Sequence, residues 1–97
     1  MSKEITSISD CNGKTICVGD TVTLFGMVGT VKFEAGAYGI AFSNSIDWEL
    51  IEGKIFQVTG CDNSPSFCYN DIFISFWELI WNFNCEDDYC SVVELVN

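Results

Sequence analysis

The strongest constraint on the fold is the alternation of apolar and polar residues, broken by glycines, that runs through residues 15–59. Val22 and Leu24 would share one face of a strand, and Val31 and Phe33 would share a face of the next. A Gly-Asp-x-Val segment followed by Gly-x-x-Gly-x-Val is typical of SH3-like barrels, where glycines let short strands bend at the corners. The pattern predicts a mainly β fold, a small SH3-like, partly open barrel.

The same alternation extends the predicted strands along the chain. Ile46, Trp48 and Leu50 alternate with acids and predict a strand, followed by a turn at Gly53-Lys54 and strands at residues 55–59 and 91–96. The residues expected in the core are Val22, Leu24, Val31, Phe33, Ile40, Phe42, Trp48, Leu50, Val58, Val93 and Leu95.

The period changes in residues 71–83. Their polar residues are Asp71, Ser75, Glu78 and Asn82, spaced four, three and four apart, which is helical periodicity with a narrow polar stripe. The pattern predicts one short helix near residues 71–83. A strand stays open as the alternative, because Ile, Phe and Trp also suit strands.

Length and composition predict a single domain over residues 1–97, with residues 1–10 as a polar arm. The chain is 48% hydrophobic and 14% aromatic, which is enough to build a core without disulfides. It has no apolar run long enough to span a membrane. Its first residues lack the pattern of a signal peptide. We therefore expect a cytoplasmic protein that does not contact a membrane.

Six cysteines leave three interpretations open. They are Cys11, Cys17, Cys61, Cys68, Cys85 and Cys90. Buried or loop thiols are favoured, since cytosolic thiols stay reduced. Disulfides are the second interpretation. A zinc site is the third, although the spacings lack the short Cys-x2-Cys knuckles of such sites and the chain has no histidine. No metal and no cofactor is predicted.

The charge inventory excludes most classes of enzyme. Fourteen acids face four lysines, with no histidine, for a net charge of -10. Histidine is the commonest general base near neutral pH, and arginine, also absent, is the commonest clamp for phosphate or carboxylate. An acidic surface is also repelled by nucleic acid. We therefore expect a non-enzymatic protein that binds other proteins and does not bind nucleic acid directly.

Two acidic groups are the candidate partner-binding residues. They are Asp47, Glu49 and Glu52, and Glu86, Asp87 and Asp88. Such groups form solvated surface, mimic the phosphates of nucleic acid, or form a metal or catalytic site. The third interpretation is disfavoured, because these carboxylates lack histidine or arginine partners and a calcium-loop pattern. The candidate partner is a host protein with a basic surface.

An aromatic segment supplies the candidate oligomer interface, at Phe73, Trp77 and Trp81. A helix over this segment would be apolar around most of its circumference. A deeply packed core helix is one interpretation. The other is a helix whose outer face is buried in a partner or in a second copy of the chain, which predicts a homodimer.

Three segments resemble the YopX-like phage and prophage proteins. The opening Asn12-Gly-Lys-Thr-Ile-Cys-Val-Gly-Asp-Thr-Val22 is similar to the start of that family. Gly29-Thr-Val31 and Gly36-Ala-Tyr-Gly-Ile40 are similar to its next segment, and Tyr89-Cys-Ser-Val-Val-Glu-Leu-Val-Asn97 resembles its closing strand. The stretch from Gly60 to Asn84 does not match. The resemblance implies a β-rich fold and a phage origin, and it brings no catalytic residues.

These observations lead to hypotheses of different classes. The first is a phage-encoded module that inhibits a host nucleic-acid-binding or defence protein, in the manner of an anti-CRISPR protein, acting in the host cytoplasm through its acidic surface. The second is an assembly module that forms a homo-oligomer through the aromatic segment. The third is a zinc or redox protein built on the cysteines.

Overall fold

The computed structural model describes residues 4–34, 36–42, 46–59, 72–83, 85–86 and 88–96. Within these residues the chain forms two helices and two antiparallel sheets. The strands are β1 (Ile5–Ser9), β2 (Thr15–Cys17), β3 (Thr21–Leu24), β4 (Met27–Glu34), β5 (Ala37–Phe42), β6 (Phe73–Ser75) and β7 (Val93–Leu95), and the helices are α1 (Trp48–Thr59) and α2 (Phe76–Asn82).

The main sheet has five strands in the order β6-β5-β4-β3-β7, and β1 and β2 form a separate two-stranded sheet. Each pair is antiparallel. The prediction of a small mainly β fold is confirmed. The strands described by the structure form these two sheets and do not close into a barrel.

The hairpin between β3 and β4 turns on Phe25 and Gly26, both with positive φ, at 51° and 86°. Leu24 pairs with Met27, so this is a two-residue turn whose twist matches that of the strands. Phe25 is held in this uncommon conformation by packing, because its ring lies 5.3 Å from that of Phe83. The turn thereby connects the sheet to the residue that follows α2.

Small residues on β5 allow β6 to approach closely. A Cβ atom added to Gly39 would meet the backbone oxygen of Ile74 and would lie 2.6 Å from the Phe73 ring and 2.8 Å from the Ser75 Cα. Glycine is therefore required at this position for β6 to pair with β5.

One buried cluster draws residues from β2 through β7 and from both helices. Most residues predicted for the core belong to it, namely Val22, Leu24, Val31, Ile40, Phe42 and Val93. Trp48, Leu50 and Leu95 are half-buried. Of these, Trp48 and Leu95 pack against the buried cluster. Phe33 and Val58 are wrong predictions, since 52% and 50% of their surfaces are exposed. Phe33 lies near the end of β4 and stacks edge-on against Tyr38 at 4.9 Å.

Helix α1 replaces the predicted strand at residues 46–50, the turn at Gly53-Lys54 and the strand that follows. The buried residues Ile51 and Ile55 lie four apart, one turn of helix, and both are fully covered. Asp47 begins the helix, because its Oδ1 accepts the Leu50 N–H at 3.0 Å, as an N-cap does. Val58 follows Ile51 by seven residues and therefore lies on the same side of α1, near its C-terminal end, where half of its surface is exposed.

The helix predicted near residues 71–83 is confirmed for Phe76–Asn82, which form α2. Phe73–Ser75, in the first part of the predicted segment, form strand β6. Ser75 ends the strand and caps the helix. Its Oγ accepts the Glu78 N–H at 3.2 Å, as an N-cap does, and donates to the Glu78 carboxylate at 3.1 Å. This cap fixes where the chain turns from strand into helix.

The prediction of a polar arm over residues 1–10 is corrected for Ile5–Ser9, which form β1. Asp10 follows β1 and is fully buried. Its carboxylate accepts backbone N–H groups from Asn12 at 3.0 Å, Lys14 at 2.8 Å and Leu95 at 2.9 Å. We call this arrangement the Asp10 junction, because it joins the turn after β1 to β7.

The electrostatics of the Asp10 junction favour the ionised carboxylate. Burial raises the pKa of Asp10, but the three backbone N–H groups and the charge of Lys14 together outweigh burial and lower it.

Among the residues described, no helix is both long and apolar enough to cross a membrane.

Candidate protein-binding surface

Helix α2 has one buried side and one exposed side. Phe76, Leu79 and Ile80 are buried under the helix. Trp77 and Trp81, four residues apart on the outer side, have 63% and 76% of their surfaces exposed. Large aromatic side chains are enriched at protein interfaces, so this side of α2 is the first element of a candidate binding surface.

A cleft of about 260 Å³ lies beside Trp77, between α2, β1 and the segment that precedes β7. We call it the α2 cleft. It combines an apolar floor with polar walls. Its lining residues are Thr6, Ser7, Ile8, Tyr38, Phe76, Trp77, Ile80 and Asp88.

The β1 wall of the α2 cleft is shaped by an irregularity in the strand. The pairing of β1 with β2 shifts between Ile5 and Ile8, and Ser7 within this bulge has a φ of 65°. The buried Thr6 hydroxyl holds the bulge, donating to the Ile16 carbonyl at 2.8 Å and accepting the Ile8 N–H at 3.1 Å. The wall is therefore fixed by hydrogen bonds within the fold.

The opposite wall carries Asp88, whose backbone is tied to β1. The Ser9 N–H donates to the Asp88 carbonyl at 2.8 Å, and the Cys90 N–H donates to the Ser9 carbonyl at 2.8 Å. Ser9 and Tyr89 thus form a parallel bridge. The Asp88 side chain is exposed on this anchored backbone.

Tyr38 adds a second carboxylate to the surroundings of the cleft, because its hydroxyl donates to the exposed carboxylate of Glu4. This hydrogen bond, with smaller contributions from burial and from the Glu4 charge, raises the pKa of Tyr38. The tyrosine is neutral at physiological pH, and the carboxylates of Glu4 and Asp88 make the cleft negative.

The predicted acidic residues occupy different parts of the molecule. Glu49 and Glu52 are exposed on α1, and Asp47 is its exposed N-cap. Glu86 and Asp88 are exposed between α2 and β7, while Asp87 lies outside the described residues. Of the described members of the two groups, Asp88 lines the α2 cleft.

Phe73 does not fit the predicted oligomer interface. It lies in β6 with 9% of its surface exposed, so it offers little area to a second chain. Trp77 and Trp81 remain exposed candidates. The tight pairing of β5 with β6 beside Gly39 explains the difference, because it covers the Phe73 ring within the chain.

Two cysteines have unusual environments that their spacing in the sequence does not reveal. Hydrogen bonding with Cys90 and, to a smaller extent, with Ser91 lowers the pKa of Cys85 to about 5 against the opposing effect of burial. Hydrogen bonding to Cys85 and burial raise the pKa of Cys90. Burial and the charges of Asp10 and Glu94 raise the pKa of Cys11, which makes it a poor nucleophile.

The described cysteines Cys11, Cys17, Cys85 and Cys90 are free thiols, and Cys61 and Cys68 lie outside the described residues. Within the described part of the chain, no three or more Cys, Asp or Glu side chains are grouped to hold a metal ion.

A second cleft of about 320 Å³ lies on the main sheet, over β4 and β5. Val28 and Ile72 contribute exposed apolar surface to it, and Lys32 supplies a positive charge. We call it the sheet cleft. It can be compared with the α2 cleft, because the two clefts have similar volumes but are lined by charges of opposite sign, Lys32 in the sheet cleft and Asp88 in the α2 cleft.

Comparison of the chain with protein families, curated proteins and solved structures finds no match. The resemblance to YopX-like proteins therefore rests on the quoted segments alone.

Proposed function

We propose that this chain is a non-enzymatic, phage-encoded protein-binding module that inhibits a host nucleic-acid-binding or defence protein, as anti-CRISPR proteins do. The observation that carries the proposal is the α2 cleft, where the exposed Trp77 lies beside the exposed Asp88. An aromatic anchor next to a carboxylate suits a basic protein surface.

The net charge of -10 supports the same partner class. An acidic protein is steered toward a basic groove, and the rate of association falls as salt screens the charges. A protein that occupies such a groove excludes nucleic acid from it. Glu49, Glu52 and Glu86 are exposed and contribute to this steering from outside the α2 cleft.

The test separates charge from folding. The parent protein and the Glu49→Gln, Glu52→Gln, Glu86→Gln triple variant are used to capture proteins from host lysate at low salt, and bound proteins are identified by mass spectrometry. Asp47 is left intact because it caps α1. Lys32→Gln is the matched control, since it removes an exposed charge of the opposite sign.

We expect a basic nucleic-acid-binding protein to be enriched by the parent, weakened by the triple variant and strengthened by Lys32→Gln. The purified partner should then release its nucleic acid when the parent is added. Equal recovery by the parent and the triple variant, or a partner that keeps its nucleic acid, would contradict the proposal.

The exposed indoles of Trp77 and Trp81 favour a second candidate, assembly of the chain with itself. Two neighbouring indoles on one helix form the kind of apolar patch that homodimers bury. Sedimentation velocity of the parent and of Trp81→Ala tests this. A dimer that Trp81→Ala weakens by on the order of 2 kcal/mol would support it, and a parent that is monomeric at high concentration would exclude it.

A further inference from the structure

We propose that the α2 cleft binds one arginine side chain of the partner protein. This inference rests on the proposed function, because it assumes a basic partner, and it names the group that the cleft recognises.

The size of the α2 cleft suits a single side chain. Pockets for drug-sized ligands and cofactors occupy about 300–1,000 Å³. The α2 cleft, at about 260 Å³, is smaller than this range and open to solvent beside Trp77. An inserted side chain from a protein surface fits within this volume.

The lining matches the two parts of an arginine. Ile8, Phe76 and Ile80 provide apolar surface for the methylene stem. The Trp77 indole offers a face on which a planar guanidinium can stack, and Asp88 offers a carboxylate for its N–H groups. Lysine has a compact, strongly hydrated charge and cannot stack in this way, so the cleft favours arginine.

The fold holds both walls in place before a partner arrives. The Thr6 hydroxyl fixes the β1 bulge, and the hydrogen bond from Ser9 fixes the backbone of Asp88. A preformed site loses less conformational entropy on binding than a mobile one. The carboxylate of Glu4, held by Tyr38, adds negative potential without occupying the cleft lining.

The sheet cleft shows why charge selects between the two sites. Its lining includes Lys32, which repels a guanidinium, whereas the lining of the α2 cleft includes Asp88. The two clefts have comparable volumes, so shape alone would not direct an arginine to one of them. Charge complementarity directs it to the α2 cleft.

The experiment uses nona-arginine as the probe, with nona-lysine as the comparison peptide of equal charge. Binding at fixed low salt is followed by calorimetry, and the indole N–H signals of Trp48, Trp77 and Trp81 are followed by NMR. Two pairs of variants isolate the cleft. Asp88→Asn is compared with Glu34→Gln, and Trp77→Ala with Trp81→Ala, since the first variant of each pair changes a residue that lines the cleft and the second changes an exposed residue of the same kind outside it.

We expect nona-arginine to shift the Trp77 indole signal and to bind more tightly than nona-lysine. Asp88→Asn and Trp77→Ala should each weaken binding of nona-arginine at least fivefold, whereas Glu34→Gln and Trp81→Ala should change it less than twofold. Trp77→Phe keeps an aromatic face and should retain most of the affinity, which guards against a misfolded alanine variant.

Three results would overturn the inference. Equal losses in Asp88→Asn and Glu34→Gln would mean that general charge binds the peptide, and the proposed function would survive without the arginine site. Nona-lysine that binds as tightly and shifts Trp77 equally would remove the preference for arginine. Failure of both peptides to bind at low salt would contradict the proposed function as well.

Discussion

The Asp10 junction and the α2 cleft each contain an aspartate close to β1, and the two carboxylates are used in opposite ways. Asp10 is fully buried and accepts three backbone N–H groups. Asp88 is exposed on a backbone that β1 holds in place. The first carboxylate satisfies groups within the chain, and the second faces solvent, where a partner can reach it.

Under the proposed function, stability and binding are assigned to separate side chains in neighbouring parts of the molecule. Removing a buried hydrogen-bond acceptor leaves its donors without a partner. This lowers the free energy of unfolding far more than removing an exposed acceptor does. Changes at Asp10 should therefore affect folding, and changes at Asp88 should affect binding. The following predictions test this separation in order of decreasing effect on stability.

The largest effect is expected at the Asp10 junction. In Asp10→Asn, an amide N–H₂ would replace the oxygen that accepts the Leu95 N–H, and two donors would face each other. We expect a loss of about 2–3 kcal/mol, which lowers the melting temperature by roughly 10 °C or more. Thermal unfolding followed by circular dichroism measures it. Glu94→Gln is the control, because it alters an exposed acid of the same junction and should change little.

The pH dependence of the parent sharpens this prediction. The pKa of Asp10 is lowered in the folded chain, so the unfolded chain binds the proton more readily. The stabilisation is complete above the unfolded value of 3.8 and is lost as the pH falls through the folded pKa. The difference in stability between parent and Asp10→Asn should shrink on acidification below that value. A constant difference would contradict the prediction.

An intermediate effect is expected at the cap of α2, which supports the cleft from within. Ser75→Ala removes the oxygen that accepts the Glu78 N–H, and caps of this kind contribute about 1 kcal/mol. The melting temperature should fall by roughly 4–8 °C. Ser75→Thr keeps the hydroxyl and should stay close to the parent. A Ser75→Ala protein as stable as the parent would show that the cap does not hold α2.

The smallest effect on stability is expected at two exposed side chains, one in the α2 cleft and one outside it. Asp88→Asn and Trp81→Ala change exposed groups and should shift the melting temperature by less than about 3 °C. Differential scanning calorimetry of both variants checks this. A large destabilisation by Asp88→Asn would mean that this carboxylate also serves the fold, and the contrast with Asp10 would fail.

The strands of residues 21–42 could be predicted from the sequence because their alternation is local. The alternation of apolar and polar residues around Val22, Leu24 and Val31 is visible in the sequence and indicates which face of each strand is buried. Helix α1 was missed because Ile46, Trp48 and Leu50 also alternate, and this pattern masked the pair Ile51 and Ile55 at helical spacing. Competing periods in one segment cannot be resolved until the neighbouring elements are known.

The candidate site could be predicted only in part. Exposed carboxylates and an aromatic helix follow from composition, and they pointed to Asp88, Trp77 and Trp81. The α2 cleft itself depends on β1 lying against residues 88–90 and α2, a contact between distant parts of the chain. The bulge at Ser7 and the hydrogen bonds of Thr6 cannot be predicted from the amino-acid sequence.

The walls of the α2 cleft also determine when during synthesis the site can exist. One wall comes from residues 6–8, and the others come from α2 and Asp88, so the first wall leaves the ribosome long before the last. Domains fold as their residues emerge, but contacts between distant segments wait for the later one. A nascent chain that has not yet released residue 88 displays β1 without a cleft. If the proposed arginine site is correct, such a chain cannot capture an arginine, and a partner can be engaged at this site only after residue 88 has been translated.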